Sequence, residues 1–254
     1  TDLPADFVGS FDMAKTMKDK TGAYLYYPPE LYYLLLQNDI PILNDDRTAA
    51  AFNTSATSTL LQSFKEMTDA DYLPKSNWGK WDSELKLFET GKLAVVNASG
   101  ASIARIKDEA PDIYENIGIA TPITGSTGMS VNPLMNVVVP EKSKNHQEAI
   151  KFAAYITNDA CQLAFCKQVA IFPSTKAASE DEYFVSDTST LEGLARKIEA
   201  ETSSTSRDYA LGVESQQDVQ TAVDKIYEAV ITNGADIQST LSAQEKAVNT
   251  ILQK

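Results

Sequence analysis

Apolar positions recur along this chain at two spacings, and each spacing predicts a different element. Phe7, Val8, Phe11, Ala14 and Met17 fall on a period near 3.6, and so do Leu60, Leu61, Phe64 and Met67; a segment with that period buries one helical face. Between such stretches lie apolar runs too short for helices, at 24–27, 93–96, 117–120 and 137–139, bounded by Gly, Pro or Asn. Runs of that length predict buried strands. Gly91 precedes the second run, Pro122 follows the third, and Pro140 ends the fourth by removing a backbone donor. Strands alternating with helices imply an α/β sheet.

Further along, helical patterns dominate. Asn145 is a good N-cap with Glu148 three residues later, so a helix is expected from there with Ala149, Phe152, Ala153 and Ile156 facing the core. Val219, Ala222, Val223, Ile226, Tyr227 and Val230 follow 3-4 spacing up to a left-handed stop at Asn233-Gly234. Ile237, Leu241, Val248 and Ile251 predict a last helix. The polar stretch 201–206 reads as a bend between helices, and the chain has no internal repeat or heptad run.

Composition narrows the function classes. At 254 residues with 43% apolar content, the chain can bury one large core or two small ones. A net charge of −13 repels phosphate backbones, so nucleic acid is not an expected partner. No apolar run approaches the roughly 20 residues needed to cross a bilayer, and the first residues lack the pattern of a signal peptide. Cys161 and Cys166 lie five apart on one predicted helix, which puts their Cα atoms about 8 to 9 Å apart, beyond disulfide reach. His146 is the only histidine, so neither a Ser-His-Asp nor a Cys-His arrangement nor a His-Glu-x-x-His zinc motif is available. Asp45-Asp46 and Glu180-Asp181-Glu182 lack calcium-loop spacing and read as solvated turns. No cofactor and no metal are expected.

Candidate binding residues gather around Pro28-Pro29, at the end of a predicted strand, where open α/β sheets place ligands. Tyr24, Tyr26, Tyr27, Glu30, Tyr32 and Tyr33 surround that turn. Flat aromatic faces suit the C–H surfaces of sugars, and one carboxylate can accept hydrogen bonds from two hydroxyls. Trp78 and Trp81 lie in a loop just ahead of a helix and are candidates to project into a cleft. Gln216 and Gln217, ahead of the long C-terminal helix, are weaker candidates, since polar residues at a helix start are usually just solvated.

The segment Phe88-Glu89-Thr90-Gly91-Lys92-Leu93-Ala94-Val95, then Pro111-Asp112, then Ile117-Gly118-Ile119-Ala120-Thr121-Pro122, resembles the core of the bacterial extracellular solute-binding proteins of the sugar-binding, maltodextrin-type family. The resemblance continues through Val137-Val138-Val139-Pro140-Glu141-Lys142-Ser143-Lys144-Asn145 into Glu148-Ala149 and Lys151-Phe152, then Phe172-Pro173, and closes on Gly234, Asp236 and the helix through Leu241, Asn249 and Leu252. No single string is specific; their order and spacing carry the likeness.

The resemblance implies an α/β, periplasmic-binding-protein-like fold of type II: the second lobe with its C-terminal helices, plus an incomplete piece of the first lobe. By that mapping 1–133 and 182–254 form the C-terminal lobe and 134–181 a remnant of the N-terminal lobe, whose orphaned edge and uncovered helix faces would favour a homodimer. It further implies a carbohydrate ligand held between two lobes without chemistry, delivery to ABC importer membrane subunits, and a place outside the cell membrane, tethered by a lipid-modified cysteine that is not among these residues. The family's acidic residue and, two positions later, its aromatic residue fall on Glu30 and Tyr32. Where the family often stacks a Trp on the sugar, this chain has Ser99-Gly100-Ala101-Ser102, which points to a shorter or differently shaped ligand. Ser99, at a helix start able to offer backbone donors, and Asn132, just before the crossover, complete the candidates. Two other readings stay open: a glycoside hydrolase using Glu30 with a second carboxylate, and a surface or adhesive module, which would present no pocket near 24–33.

Overall fold

A computed structural model of the chain describes residues 3–75, 80–132, 134–169 and 171–253. Helices α1 (Phe11–Thr21), α2 (Leu31–Gln37), α3 (Ser55–Asp69), α4 (Trp81–Glu89), α5 (Ala101–Glu109) and α6 (Pro111–Tyr114) precede strand β1 (Ser130–Val131). After it come α7 (His146–Ile156), α8 (Asp159–Cys166), α9 (Lys176–Ser179), α10 (Glu182–Val185), α11 (Leu191–Thr202), strand β2 (Ser206–Arg207), α12 (Gln216–Tyr227) and α13 (Ile237–Leu252). A π turn, Glu228–Thr232, extends α12.

The chain divides into two compact units. The first takes in residues up to Asn97, then Pro122–Asn132, then everything from Arg207 onward. Its core joins the buried stripes of α2, α3, α12 and α13 through Leu31, Leu35, Leu61, Phe64, Val219, Val223, Ile226, Leu241 and Val248. The 3-4 spacing of these apolar residues is what puts them on one face of each helix. Two of its helix ends are satisfied locally: Thr54 caps α3 by accepting from the Thr57 N–H at 3.2 Å, and Gly234 takes the left-handed conformation (φ 69°) after the π turn.

Of the four predicted strands, those at 24–27 and 93–96 meet: Tyr24 N–H donates to the Lys92 carbonyl at 3.0 Å, and Val95 N–H to the Leu25 carbonyl at 2.8 Å, in parallel register. A second parallel bridge joins Asp6 to Thr124. The result is mixed α/β with helices dominant. The runs at 117–120 and 137–139 are not strands. Without a ladder, Val137 and Val138 stay 51% and 78% exposed.

The second unit comprises Ala98–Thr121 and the chain after Asn132 up to Ser206. Its boundaries differ from the expected remnant at 134–181, because α5, α6, α10 and α11 group with α7 to α9 rather than with the first unit. The Gly100 N–H donating to the Glu199 carboxylate at 3.4 Å is one tie between α5 and α11. Phe184 is buried at its centre and stacks edge-on with Phe172 at 5.1 Å. The expected core face of α7 is corrected here: Asn145 precedes the helix without a side-chain cap, α7 buries none of its residues, and Phe152 is 64% exposed. With 137–139 unpaired, α7 has no sheet to lie on. Cys161 and Cys166 are free thiols on α8. Among the described residues no helix is long and apolar enough to cross a membrane.

Candidate functional site

Within the first unit, the turn through Pro28 and Pro29 leads into the N-terminus of α2, and α12 packs against that helix. Glu30 occupies the N-cap position of α2, yet its side chain makes no capping bond. Its carboxylate is half-buried and accepts instead from Gln220 Nε2 on α12 at 3.2 Å. Gln220 Nε2 also lies 3.5 Å from the Tyr33 hydroxyl. One turn along α12, Asp224 Oδ1 accepts from the Tyr32 backbone N–H at 2.9 Å.

Two further carboxylates share the field of Glu30. Burial and the charge of Glu30 push Glu84, on α4, up to about 7. Asp224 is pushed up to about 7 by burial first, with the Tyr32 N–H opposing and Glu30 adding. Glu30 itself is raised by burial, against the hydrogen bond from Gln220. Among the described residues none of the three carboxylates forms an ion pair. Half-removed from water with no cation beside them, they titrate higher than solvated acids. Near neutral pH such a set offers both hydrogen-bond acceptors and protonated donors.

The aromatic residues divide into scaffold and surface. Tyr32 is fully buried, and its hydroxyl donates to the Tyr209 carbonyl at 2.7 Å. Its ring meets Tyr33 at 5.7 Å and Tyr209 at 6.4 Å, both edge-on. The expectation of a ligand against this ring is corrected: α2 turns it into the core, where every face is covered. Tyr33, one residue on, is the partly exposed member. Tyr27 is 9% exposed, and its hydroxyl is raised by burial and by the nearby Glu84 charge. Trp81 begins α4 at 41% exposure, three residues before Glu84 and so on the same side of the helix. Trp78 lies outside the described residues.

Ser99 belongs to the second unit and is exposed; its carbonyl accepts from Ser102 N–H at 2.9 Å, and the next N–H, of Gly100, is turned to Glu199. Asn132 is exposed and its N–H donates to the Arg207 carbonyl at 2.9 Å. The structure therefore places Glu30 and Tyr32 together at the start of α2, and Tyr27 within the field of Glu84, which shares α4 with Trp81. Glu84, Gln220 and Asp224 were not among the sequence candidates. Their one signal was a polar residue interrupting or flanking a buried stripe, beside Leu85, Val219 and Val223. Among the described residues no group of three or more His, Cys, Asp or Glu is arranged to hold a metal ion. A separate shallow groove, between α3 and the turn into α13, is lined by Gln62, Glu66, Asp236 and Gln238 and contains none of these residues.

A family model described as bacterial extracellular solute-binding protein matches residues 3–192. No curated protein matches the chain. Among solved structures, an oligosaccharide periplasmic-binding protein from Synechococcus sp. MITs9220 superposes with TM-score 0.87 at 22% identity, covering 98% of this chain and 67% of that one. The cyclic alpha-maltosyl-1,6-maltose binding protein of Arthrobacter globiformis gives TM-score 0.77 at 20% identity over 98% of this chain and 65% of that one. The sugar-binding protein MalE of Xanthomonas citri gives 0.79 at 16%, over 99% and 64%. At these identities the likeness is one of fold, the periplasmic-binding-protein fold, and the chain spans about two thirds of each of these proteins.

Proposed function

Because the chain belongs to the bacterial extracellular solute-binding proteins, we propose that it captures a carbohydrate, mono- or oligosaccharide, and passes it unchanged to the membrane subunits of an ABC importer. The observation that supports a sugar is the pairing of a half-buried carboxylate, Glu30, which makes no ion pair among the described residues, with partly exposed aromatic surface at Tyr33. A carboxylate held in that way accepts from neighbouring hydroxyls, while a ring edge or face meets the C–H side of a pyranose. Glu84 and Trp81 extend the same chemistry along α4. The capture takes place outside the cell membrane, where the family's proteins meet their solutes.

The test is a calorimetric titration of the chain with glucose, maltose and maltotriose, followed by chromatography of the sugar recovered. Saturable heat with unchanged sugar is expected. A second reading, a glycoside hydrolase, draws on one observation: Glu84 and Asp224 titrate near 7 beside Glu30, and such hydrolases pair a protonated with an ionised carboxyl. Shortened sugar in the chromatogram would establish that reading in place of the first. No heat with any of the three sugars, and none with a wider saccharide panel, would overturn both.

A further inference from the structure

Glu30 stands where a helix ordinarily places a small capping side chain, since the first N–H groups of α2 have no intrahelical partner. It does not cap. The bond it leaves unmade is supplied by Asp224, 192 positions further along the chain at Tyr32 N–H. Gln220, on the same side of α12 one turn earlier, then takes hold of the released carboxylate. Both side chains project from a helix that is itself immobilised, because Val219, Val223 and Ile226 are fully buried between them and beside them. The far end of the assembly is tied as well, by the Tyr32 hydroxyl on the Tyr209 carbonyl.

We propose that Asp224 and Gln220 are positioning residues for ligand capture: Asp224 caps α2 in place of Glu30, and Gln220 aims the carboxylate so freed. A cap from Glu30 itself would consume the oxygens that a ligand needs; a cap from α12 leaves them available and fixes the start of the helix that carries Tyr33. The arrangement rests on the carbohydrate reading for its purpose and on hydrogen bonds alone for its geometry. Its cost is a third acid in a crowded field. Asp224 acts on or is acted on by Glu30, Tyr32, Tyr33 and, on its own helix, Tyr227; Glu30 acts in turn on Glu84 on α4, and Tyr209 and Asp208 act on Tyr32. Burial and these charges leave Asp224 protonated in part near neutrality, so the strength of the cap depends on pH.

The variants are Asp224→Ala, Asp224→Asn and Gln220→Ala, each checked for fold by circular dichroism. Two readouts use the ligand-free protein: hydrogen exchange at the Tyr32 amide, and the titration of the Glu30 carboxyl followed by NMR. A third is the affinity for maltotriose between pH 5 and 8. Asp224→Ala is expected to speed Tyr32 exchange and weaken maltotriose binding, each by about tenfold, the loss typical of one hydrogen bond to a charged group. Asp224→Asn keeps an acceptor oxygen without the charge; it is expected to restore both to within about twofold and to flatten the pH profile. Gln220→Ala is expected to leave Tyr32 exchange unchanged, raise the Glu30 titration further and weaken binding. A folded Asp224→Ala with native Tyr32 exchange, or a Glu30 titration indifferent to Gln220→Ala, overturns the positioning. Asn behaving like Ala would overturn the capping role in favour of a pure charge effect. If the native protein binds no saccharide while the two ligand-free readouts move as stated, the carbohydrate reading fails and the geometry of the inference stands. If saccharide binds and the folded variants leave its affinity unchanged, the inference fails and that reading stands.

Discussion

Gly125 shows how a single position can be dictated by what passes beside it. Its φ is not positive; the constraint is proximity, since an added Cβ would lie 2.4 Å from the Gln37 carbonyl oxygen at the end of α2. The same carbonyl accepts from the Thr127 hydroxyl at 2.7 Å, and Ser126 N–H donates to Asn38 Oδ1 at 3.0 Å, so the loop is tied where it touches. Gly125→Ala is expected to destabilise the fold by about 1–3 kcal/mol, as overpacking against backbone does; a urea midpoint equal to the native one would mean that the loop yields. The acids of the candidate site make a second prediction at this scale. Glu84 and Asp224 have folded values near 7 against ordinary carboxylate values of 4.5 and 3.8. Between those limits the folded chain holds protons that the unfolded chain has released, so stability falls as pH rises from about 4 to 7 and levels off above. Asp187 acts in the opposite sense lower down: hydrogen bonds from Ser189 and Thr190 hold it at about 2, so its contribution is lost as pH falls from about 4 toward 2. A melting temperature that climbs from pH 5 to 8 would contradict the first effect, and Asp224→Asn should remove part of the slope.

At the scale of elements, the helices were legible and the strands only in part. A period of 3.6 sustained over three or four turns leaves little ambiguity, which is why α1, α3, α12 and α13 appear where the apolar stripes put them. A run of three or four apolar residues says only that a segment is short and greasy. Whether it becomes a strand is settled by a partner elsewhere: 24–27 found 93–96, whereas 117–120 and 137–139 have none among the described residues. The candidate site divides in the same way. Glu30 could be nominated by likeness to a family, because its position in a turn is local. Asp224 could not, because its role exists only through contact with Tyr32. For a local signal the consequence is measurable: Thr54, read off the structure as the cap of α3, should cost about 1 kcal/mol when changed to Ala and little when changed to Ser, judged by chemical denaturation.

For the whole molecule, the two units differ in how well each is filled. The large buried cluster that runs from Phe7 to Val248 draws all its members from the first unit. The second leaves Phe152 and Tyr155 each 64% exposed, Met135 79% and Val138 78%. Few buried contacts mean low local stability, so chymotrypsin at native temperature is expected to cut first within 134–165 and to leave the first unit's core peptides intact longer; early cuts in α2 or α12 would contradict this. Thermal unfolding should accordingly proceed in two steps rather than one.

The first unit is also assembled from three separate stretches of chain, and that carries a consequence for the order in which the protein can come into being. A ribosome delivers the stretch up to Asn97 well before α12, which carries Gln220 and Asp224, and α13, which together complete that unit's core. At ~5–20 residues per second the earlier helices wait several seconds for them. Until then the Tyr32 amide and the Glu30 carboxylate have water in place of Asp224 and Gln220. The candidate site is thus assembled only once α12 has been made, and a copy cut short before Gln216 would lack the whole α12 side of it.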